Sequence, residues 1–398
     1  MRAILAGLIF LYFCCGNSTS QNTNMTMSQR DNRLILFLAG DVMTGRGIDQ
    51  ALPYSVPPIL YESYVKDARD YIHIAESENG NIKIPVSYVY PWGDAMEVWK
   101  EEKPDLKFIN LETSITTHYE AWPRKGIHYR MHPANIELLK SAGIDHCSLA
   151  NNHMLDWSRP GLEETMKTIG KAGIRFSGAG LDKINAVKPS IFYKNGIRIL
   201  VFSYGAANSG IPSAWAADQS QSGINYISGF GDNEVEEVRK NILSYKKTED
   251  LVIFSIHWGG NWGYKIPREH MDFAHHLIDE AGVDLIFGHS SHHPLGMEVY
   301  KGKLIIYGAG DFINDYEGIR GHEEYRPELS LMYFPEIAPQ NGELIKLKII
   351  PMEIRKFRLN HAKQEQIRWV REVLTREGEQ FGNKVEHGDV ENLFLKWK

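Results

Sequence analysis

Five short apolar runs in this chain each end in residues that bind cations or move protons. Residues 34–39 run into Gly40-Asp41, residues 106–109 into Asn110-Leu111-Glu112, and residues 146–150 into Asn151-Asn152-His153. Residues 251–256 run into His257-Trp258-Gly259, and residues 285–287 into Gly288-His289-Ser290-Ser291-His292. Carboxylates, amides and imidazoles thus stand at the carboxyl ends of runs that read as strands. Ligands of α/β sheets bind beyond those ends, so parallel neighbouring strands would make the donors converge. A mixed oxygen and nitrogen set suits borderline divalent cations such as Mn²⁺, Zn²⁺ or Fe²⁺. Mg²⁺ alone favours oxygen donors and retained water.

Taken singly, most of these residues have an ordinary structural explanation. Gly40-Asp41 reads equally as a turn or helix cap, the amides of residues 151 and 152 as turn formers, and His257 as a satisfied buried imidazole. His289-x-x-His292 is the most specific element, and the five together point to one metal-dependent site. His153 has the chemistry of a general acid; an orienting hydrogen bond is its other reading. Asp156 either orients His153 or caps the helix expected near Pro160. Arg46 follows Asp41 by five residues and could grip a phosphate or carboxylate with two parallel hydrogen bonds; a surface arginine is the alternative. Arg124, Lys125, His128 and Arg130 form a basic run, a cradle for a polyanion or simply a solvated face.

The elements that must position these groups alternate from residue 34 onward between β-rich runs and helical patterns. That order predicts an α/β fold with partly parallel sheets. Further strands are expected at 197–203, 304–307, 329–334 and 344–350, and helices at 135–142, 162–172, 234–245, 268–281 and 364–377. The fourth helix carries Met271, Ala274, Leu277, Ile278 and Ala281 on one stripe, with Gly282 as its stop. Residues 50–94, rich in Tyr and Pro, read as an insertion over one end of the sheet.

The formal net charge of −6 over 398 residues argues against a partner held through nucleic-acid phosphates. At the N-terminus, Arg2 precedes an apolar stretch over residues 3–13, far short of the roughly 20 residues that span a bilayer. Small and polar residues follow. Residues 1–16 therefore read as a signal peptide, 17–33 as a polar tether, 34–350 as the main domain and 351–398 as a C-terminal helical extension. Cys14 and Cys15 stand where a lipid-modified cysteine would, although bulky Phe13 precedes Cys14 where a small residue is usual. The expected location is extracytoplasmic, free or lipid-anchored to a membrane. Cys147 is the one cysteine of the main domain, which excludes an internal disulfide framework and a zinc ribbon.

In order along the chain, Gly40-Asp41-Val42-Met43, Pro104-Asp105 with Asn110-Leu111-Glu112-Thr113, Ala150-Asn151-Asn152-His153, His257-Trp258-Gly259, Gly288 to Pro294, and Tyr307-Gly308-Ala309-Gly310-Asp311-Phe312 resemble the CapA-type poly-γ-glutamate capsule synthesis family. The resemblance spans roughly residues 34–316, and that family is similar to the calcineurin-like metallophosphoesterases. It implies a four-layer α-β-β-α sandwich with a two-cation site at the strand ends. It implies that Asp41 is the first-motif aspartate, that Glu112 takes the bridging carboxylate's position, and that Asn152 is the ligand amide with His153 beside it. His257, His289 and His292 become the remaining imidazole ligands. Two departures stand out: Met43 replaces the histidine of the usual Asp-x-His motif, and Glu112 is one methylene longer than aspartate. One well-held cation and one weaker partner are therefore expected. The implied function is a metal-dependent hydrolase acting on an anionic polymer or phosphoester, with a membrane-bound polymer synthesis or export complex as partner. A non-catalytic polymer-binding or export component and a generic secreted phosphoesterase are the alternatives.

Overall fold

The computed structural model describes residues 33–388 and 391–398. The expected signal peptide, Cys14, Cys15 and nearly all of the tether lie outside them. Among the described residues no helix is long and apolar enough to cross a membrane.

Two mixed sheets carry the α/β fold. The first runs in the order Lys384–His387, Leu393–Lys396, Leu344–Ile354, Leu329–Ile337, Leu34–Val42, Leu106–Leu111, His146–Ser148, Arg175–Ser177. Its last four strands are parallel, and Leu329–Ile337 lies antiparallel beside Leu34–Val42. A short strand, Asp311–Ile313, joins the end of Leu34–Val42 in parallel and sets Asp311 beside Asp41. The second sheet runs Tyr226–Ile227, Ile197–Ala206, Leu251–His257, Leu285–His289, Lys303–Ile306, Met297–Tyr300. From Ile197–Ala206 to Lys303–Ile306 it is parallel, and Ser190–Lys194 returns antiparallel on Ile197–Ala206.

Parallel strands covered on both faces read as unbroken apolar runs, and every residue of Leu251–His257 is buried. Side-chain alternation along each strand then sorts residues between faces. Leu34, Leu36 and Leu38 share one apolar cluster with Ile199, Val201, Ile253, Phe287 and Ile306, which joins the two sheets. Phe37, Ala39 and Ile109 point the other way, to Ile48, Tyr71, Trp92, Trp99 and Leu139. Leu200, Phe202, Val252 and Phe254 meet Val238 of helix Asp232–Tyr245 and Phe273 and Leu277 of helix Arg268–Ala281. The predicted stripe on the latter is buried, except that Met271 is only half-covered, and Gly282 ends the helix in the left-handed conformation at φ 66°.

Residues 50–94 contribute helix Asp70–Asn79 to the first sheet's outer cover through Tyr71 and Ile72. Beyond residue 350 the chain is more than helical. Leu344–Ile354 crosses the expected boundary, and after helix Gln364–Gly378 two antiparallel strands extend the first sheet. Val385, Leu393 and Leu395 enter the inter-sheet cluster, but in runs too short for the alternation to be read from sequence.

Candidate metal centre

The carboxyl ends of the two sheets meet at Asp41, His257 and His289, all fully buried. Asp41 ends a strand of the first sheet; His257 and His289 sit opposite one another at the ends of paired strands of the second. The two imidazoles face each other with Nδ1 atoms 2.9 Å apart. Asp41 Oδ1 lies 4.0 Å from His257 Nδ1 and 3.9 Å from His289 Nδ1. A second group shares the same aspartate: donor atoms of Asp41, His292 and Asp311 all lie within 4.8 Å of one another. His292 Nδ1 is 2.9 Å from Asp311 Oδ1.

Backbone features make this convergence possible. A Cβ on Gly40 would lie 1.8 Å from the carbonyl oxygen of Gly310, so the Gly40-Asp41 and Gly310-Asp311 turns approach more closely than any side chain allows. Between His289 and His292, Ser290 adopts φ 106°, a conformation that L residues rarely hold without support. Its amide donates to Asp41 Oδ2 at 3.3 Å and its hydroxyl to the Gly259 carbonyl at 3.1 Å. That turn aims both histidines at Asp41.

The donor set fits divalent cations. Around one octahedral ion with bonds of about 2.1 Å, donors lie roughly 3 Å apart when adjacent and roughly 4.2 Å when opposite; the Asp41, His257 and His289 spacings of 2.9, 3.9 and 4.0 Å run across that range. His257 and His289 have ring partners compatible with a lone pair turned to a cation. Asn152 Oδ1 can only accept, and it lies 3.1 Å from His257 Nε2, which turns a lone pair at Nδ1 toward His289. Ser255 Oγ, 2.8 Å from His289 Nε2, can free its Nδ1 in the same way. Finally, Glu112 Oε2 is buried with no hydrogen-bond partner among the described residues.

Electrostatics tell the same story. Burial first, and then the neighbouring Asp311, push the Asp41 carboxyl up to about 8. Burial, Asp41 and Asp311 hold Glu112 well above the usual carboxylate range. Burial drives His289 down to about 3 and His257 well below the usual imidazole range. At His292 burial pulls downward, but Asp311 beside it outweighs that and the net shift is upward. A bound dication inverts these preferences, favouring carboxylates and unprotonated imidazoles.

His153 flanks the cluster. Its Nδ1 lies 2.7 Å from Asp156 Oδ2 and 3.1 Å from Lys125 Nζ, while Nε2 points inward, 3.8 Å from Glu112 Oε1. The Tyr129 ring stacks on it at 3.9 Å between centroids. Asp156 holds the ring, accepts from the Tyr129 amide at 2.7 Å and pairs with Lys125; it does not serve as a helix cap, since Trp157 stands at that position with no side-chain cap bond.

Arg46 and Arg130 are engaged elsewhere. Arg46 is buried, donating to Asp315 and Glu62 and to the Tyr71 hydroxyl at 2.8 Å, with its guanidinium 3.9 Å from the Tyr71 ring centroid. Arg130 lies 3.6 Å above Trp157 and donates to the carbonyls of His118 and Pro57. Of the basic run, Lys125 is the member that reaches His153.

Sequence reasoning missed Asp311 and Asn110 as members of the cluster. Asp311 had one signal: Gly310-Asp311 repeats the Gly40-Asp41 ending. Asn110 donates to Asp41 Oδ1 at 2.7 Å and accepts from Asn151 at 3.0 Å, tying three strand ends together. Cavity size alone points away from this site. A groove of about 810 Å³ lies between residues 195–198, 247–250 and 339–340, where the second sheet's strands begin, and no metal-ligating cluster lines it.

Residues 35–316 match the family described as bacterial capsule synthesis protein PGA_cap. The chain is 41% identical over 361 residues to a probable polyglutamine synthesis accessory protein of Mycobacterium tuberculosis, an alignment that covers 90% of this chain and 95% of that one. It is 24% identical over 330 residues to the capsule biosynthesis protein CapA of Bacillus anthracis, covering 83% of this chain and 70% of CapA. Identity to the PGA biosynthesis protein CapA of Bacillus subtilis is also 24%, over 77% of this chain and 70% of that protein. The match runs through every strand end that bears a cluster donor, from Asp41 to Asp311, and on that ground the chain belongs to the CapA-type bacterial capsule synthesis family.

Proposed function

We propose that this protein is an exported, metal-dependent hydrolase of the cell envelope, acting on an anionic polymer of the poly-γ-glutamate type beside a membrane-bound synthesis or export complex. The observation that carries the reading is the meeting of Asp41, His257 and His289 at one buried point, with the His153–Asp156 pair alongside. The three apolar clusters support an α-β-β-α layering of the metallophosphoesterase kind, with the site at the strand ends. Asp41, Glu112, His257, His289 and His292 would hold two divalent cations, Mn²⁺, Zn²⁺ or Fe²⁺. Asn152 either fixes the His257 ring, as here, or turns its oxygen to a cation.

Bound cations supply Lewis acidity and an acidified water. The chain's own groups do the rest. Hydrolysis adds water across the scissile bond: the oxygen joins the acyl or phosphoryl centre, and the leaving atom takes a proton. His153 delivers that proton at Nε2, the nitrogen that faces the cluster, while Asp156 at Nδ1 fixes the ring. Lys125 sits close enough to draw an anionic substrate toward His153. Elemental analysis of the purified full-length chain, paired with assays on aryl phosphates and on γ-glutamyl polymer, tests the proposal. Stoichiometric transition metal in the wild type, together with turnover lost in His257→Ala, supports it; a chain that takes up no metal ends it.

Met43 favours a second reading. Its side chain is buried and brings no imidazole to the centre, so a binding or export role without turnover would need only the polymer-holding surface. His153→Ala separates the two: it cuts turnover by about 10²–10⁴-fold and spares polymer binding if the protein is an enzyme, and changes nothing measurable if it is not.

A further inference from the structure

We infer that Asp311 is a cation ligand that takes the place of the imidazole missing at Met43, so that the two cation positions differ in kind. This rests on the metal-dependent reading above. One position is rich in imidazole, formed by His257 and His289 with Asp41. The other is rich in carboxylate, formed by Asp41, Asp311 and Glu112 with His292, and takes a hard cation such as Mn²⁺ or Mg²⁺.

Four observations converge. Asp311 and Asp41 are register partners in parallel strands, so their carboxylates stand side by side, 2% and 0% exposed. With His292 they form a donor group within one cation's reach. Asn110 and the Ser290 amide donate to Asp41, and Asn314 donates to Asp311 at 2.8 Å. His292 is the imidazole in contact with them, its Nδ1 2.9 Å from Asp311 Oδ1. Second, Glu112 Oε2 is buried with no hydrogen-bond partner among the described residues. Third, the backbone amide of Met43 donates to the Ile313 carbonyl at 2.9 Å. The strand that carries Asp311 thus runs along the flank where a histidine at position 43 would have stood. Fourth, Asp311 Oδ1 and His292 Nδ1 are spaced as adjacent corners of an octahedron. An oxygen-dominated set of this kind prefers harder ions than the imidazole pair does.

The test is titration of the full-length chain with Mn²⁺ alone, read by calorimetry and by electron paramagnetic resonance. Wild type binds two Mn²⁺ per chain and shows the spectrum of a spin-coupled pair. Asp311→Asn keeps the side chain's shape, and Asp311→Ala removes it. Both weaken the second Mn²⁺ on the order of 100-fold or more and collapse the spectrum to that of one isolated ion, with the first Mn²⁺ still bound. The asparagine variant guards against a folding defect in the alanine variant. If both ions bind the Asp311 variants unchanged, or wild type binds a single Mn²⁺ that only His257→Ala removes, the inference falls while the metal-dependent function stands. If wild type binds no Mn²⁺, Zn²⁺ or Fe²⁺, both fall.

Discussion

The two sheets bring different chemistry to the seam between them. The first delivers oxygen: Asp41, Glu112, Asn152 and Asp311 all stand at or just beyond its strand ends. The second delivers nitrogen, through His257, His289 and, one turn later, His292. Burial acts on the two halves in opposite directions. It raises Asp41 to about 8 and lowers His289 to about 3, so each half alone drifts toward its neutral form. A cation between them would let both stay in their ligating forms. The division also explains why the centre is buried yet buildable. Neither sheet has to hold all the charge, and the apolar cluster that joins the sheets sets the spacing of the halves.

The sharpest way to break the comparison is on the nitrogen side. His257→Ala removes one of the two facing imidazoles and is expected to lower metal content to about one ion per chain and to abolish turnover, measured by elemental analysis and hydrolysis assay. His153→Ala tests whether the flanking imidazole is chemistry rather than ligation. Turnover falls by about 10²–10⁴-fold, as for loss of a general acid, with metal content unchanged. Arg46→Ala probes the oxygen side's scaffold. It strands Glu62 and Asp315 without their buried partner, and urea unfolding should register a loss of roughly 3–5 kcal/mol. A pure rise in KM with no loss of stability would instead mark Arg46 as a substrate contact. Adding metal to the stripped protein at 100 times its Kd stabilises it by about 2.7 kcal/mol, seen as a higher Tm. Lys125→Met, the mildest change, raises KM for an anionic substrate about tenfold, near 1.4 kcal/mol, and leaves metal uptake intact.

How much of this could be read from sequence follows from where the information lay. The strand ends at Asp41, His257 and His289 were legible because each donor directly follows an apolar run long enough to show a strand. Their convergence was less legible, because Asp41 and the two histidines stand in different sheets that meet through the apolar cluster between them. Asp311 was not legible as a ligand. Its strand is three residues long, and its partner Asp41 lies far back along the chain. Arg46 looked free because its acids, Glu62 and Asp315, are 16 and 269 residues away. The strands Lys384–His387 and Leu393–Lys396 escaped because each run is too short to set a period. Met43 was legible as a departure, yet the residue proposed to compensate it is a neighbour in space rather than in sequence.

The most direct measurement is anomalous diffraction from crystals of the full-length chain soaked in Mn²⁺. The account predicts a peak within ligand distance of Asp41, His257 and His289. A map with no anomalous peak between the two sheets would contradict it.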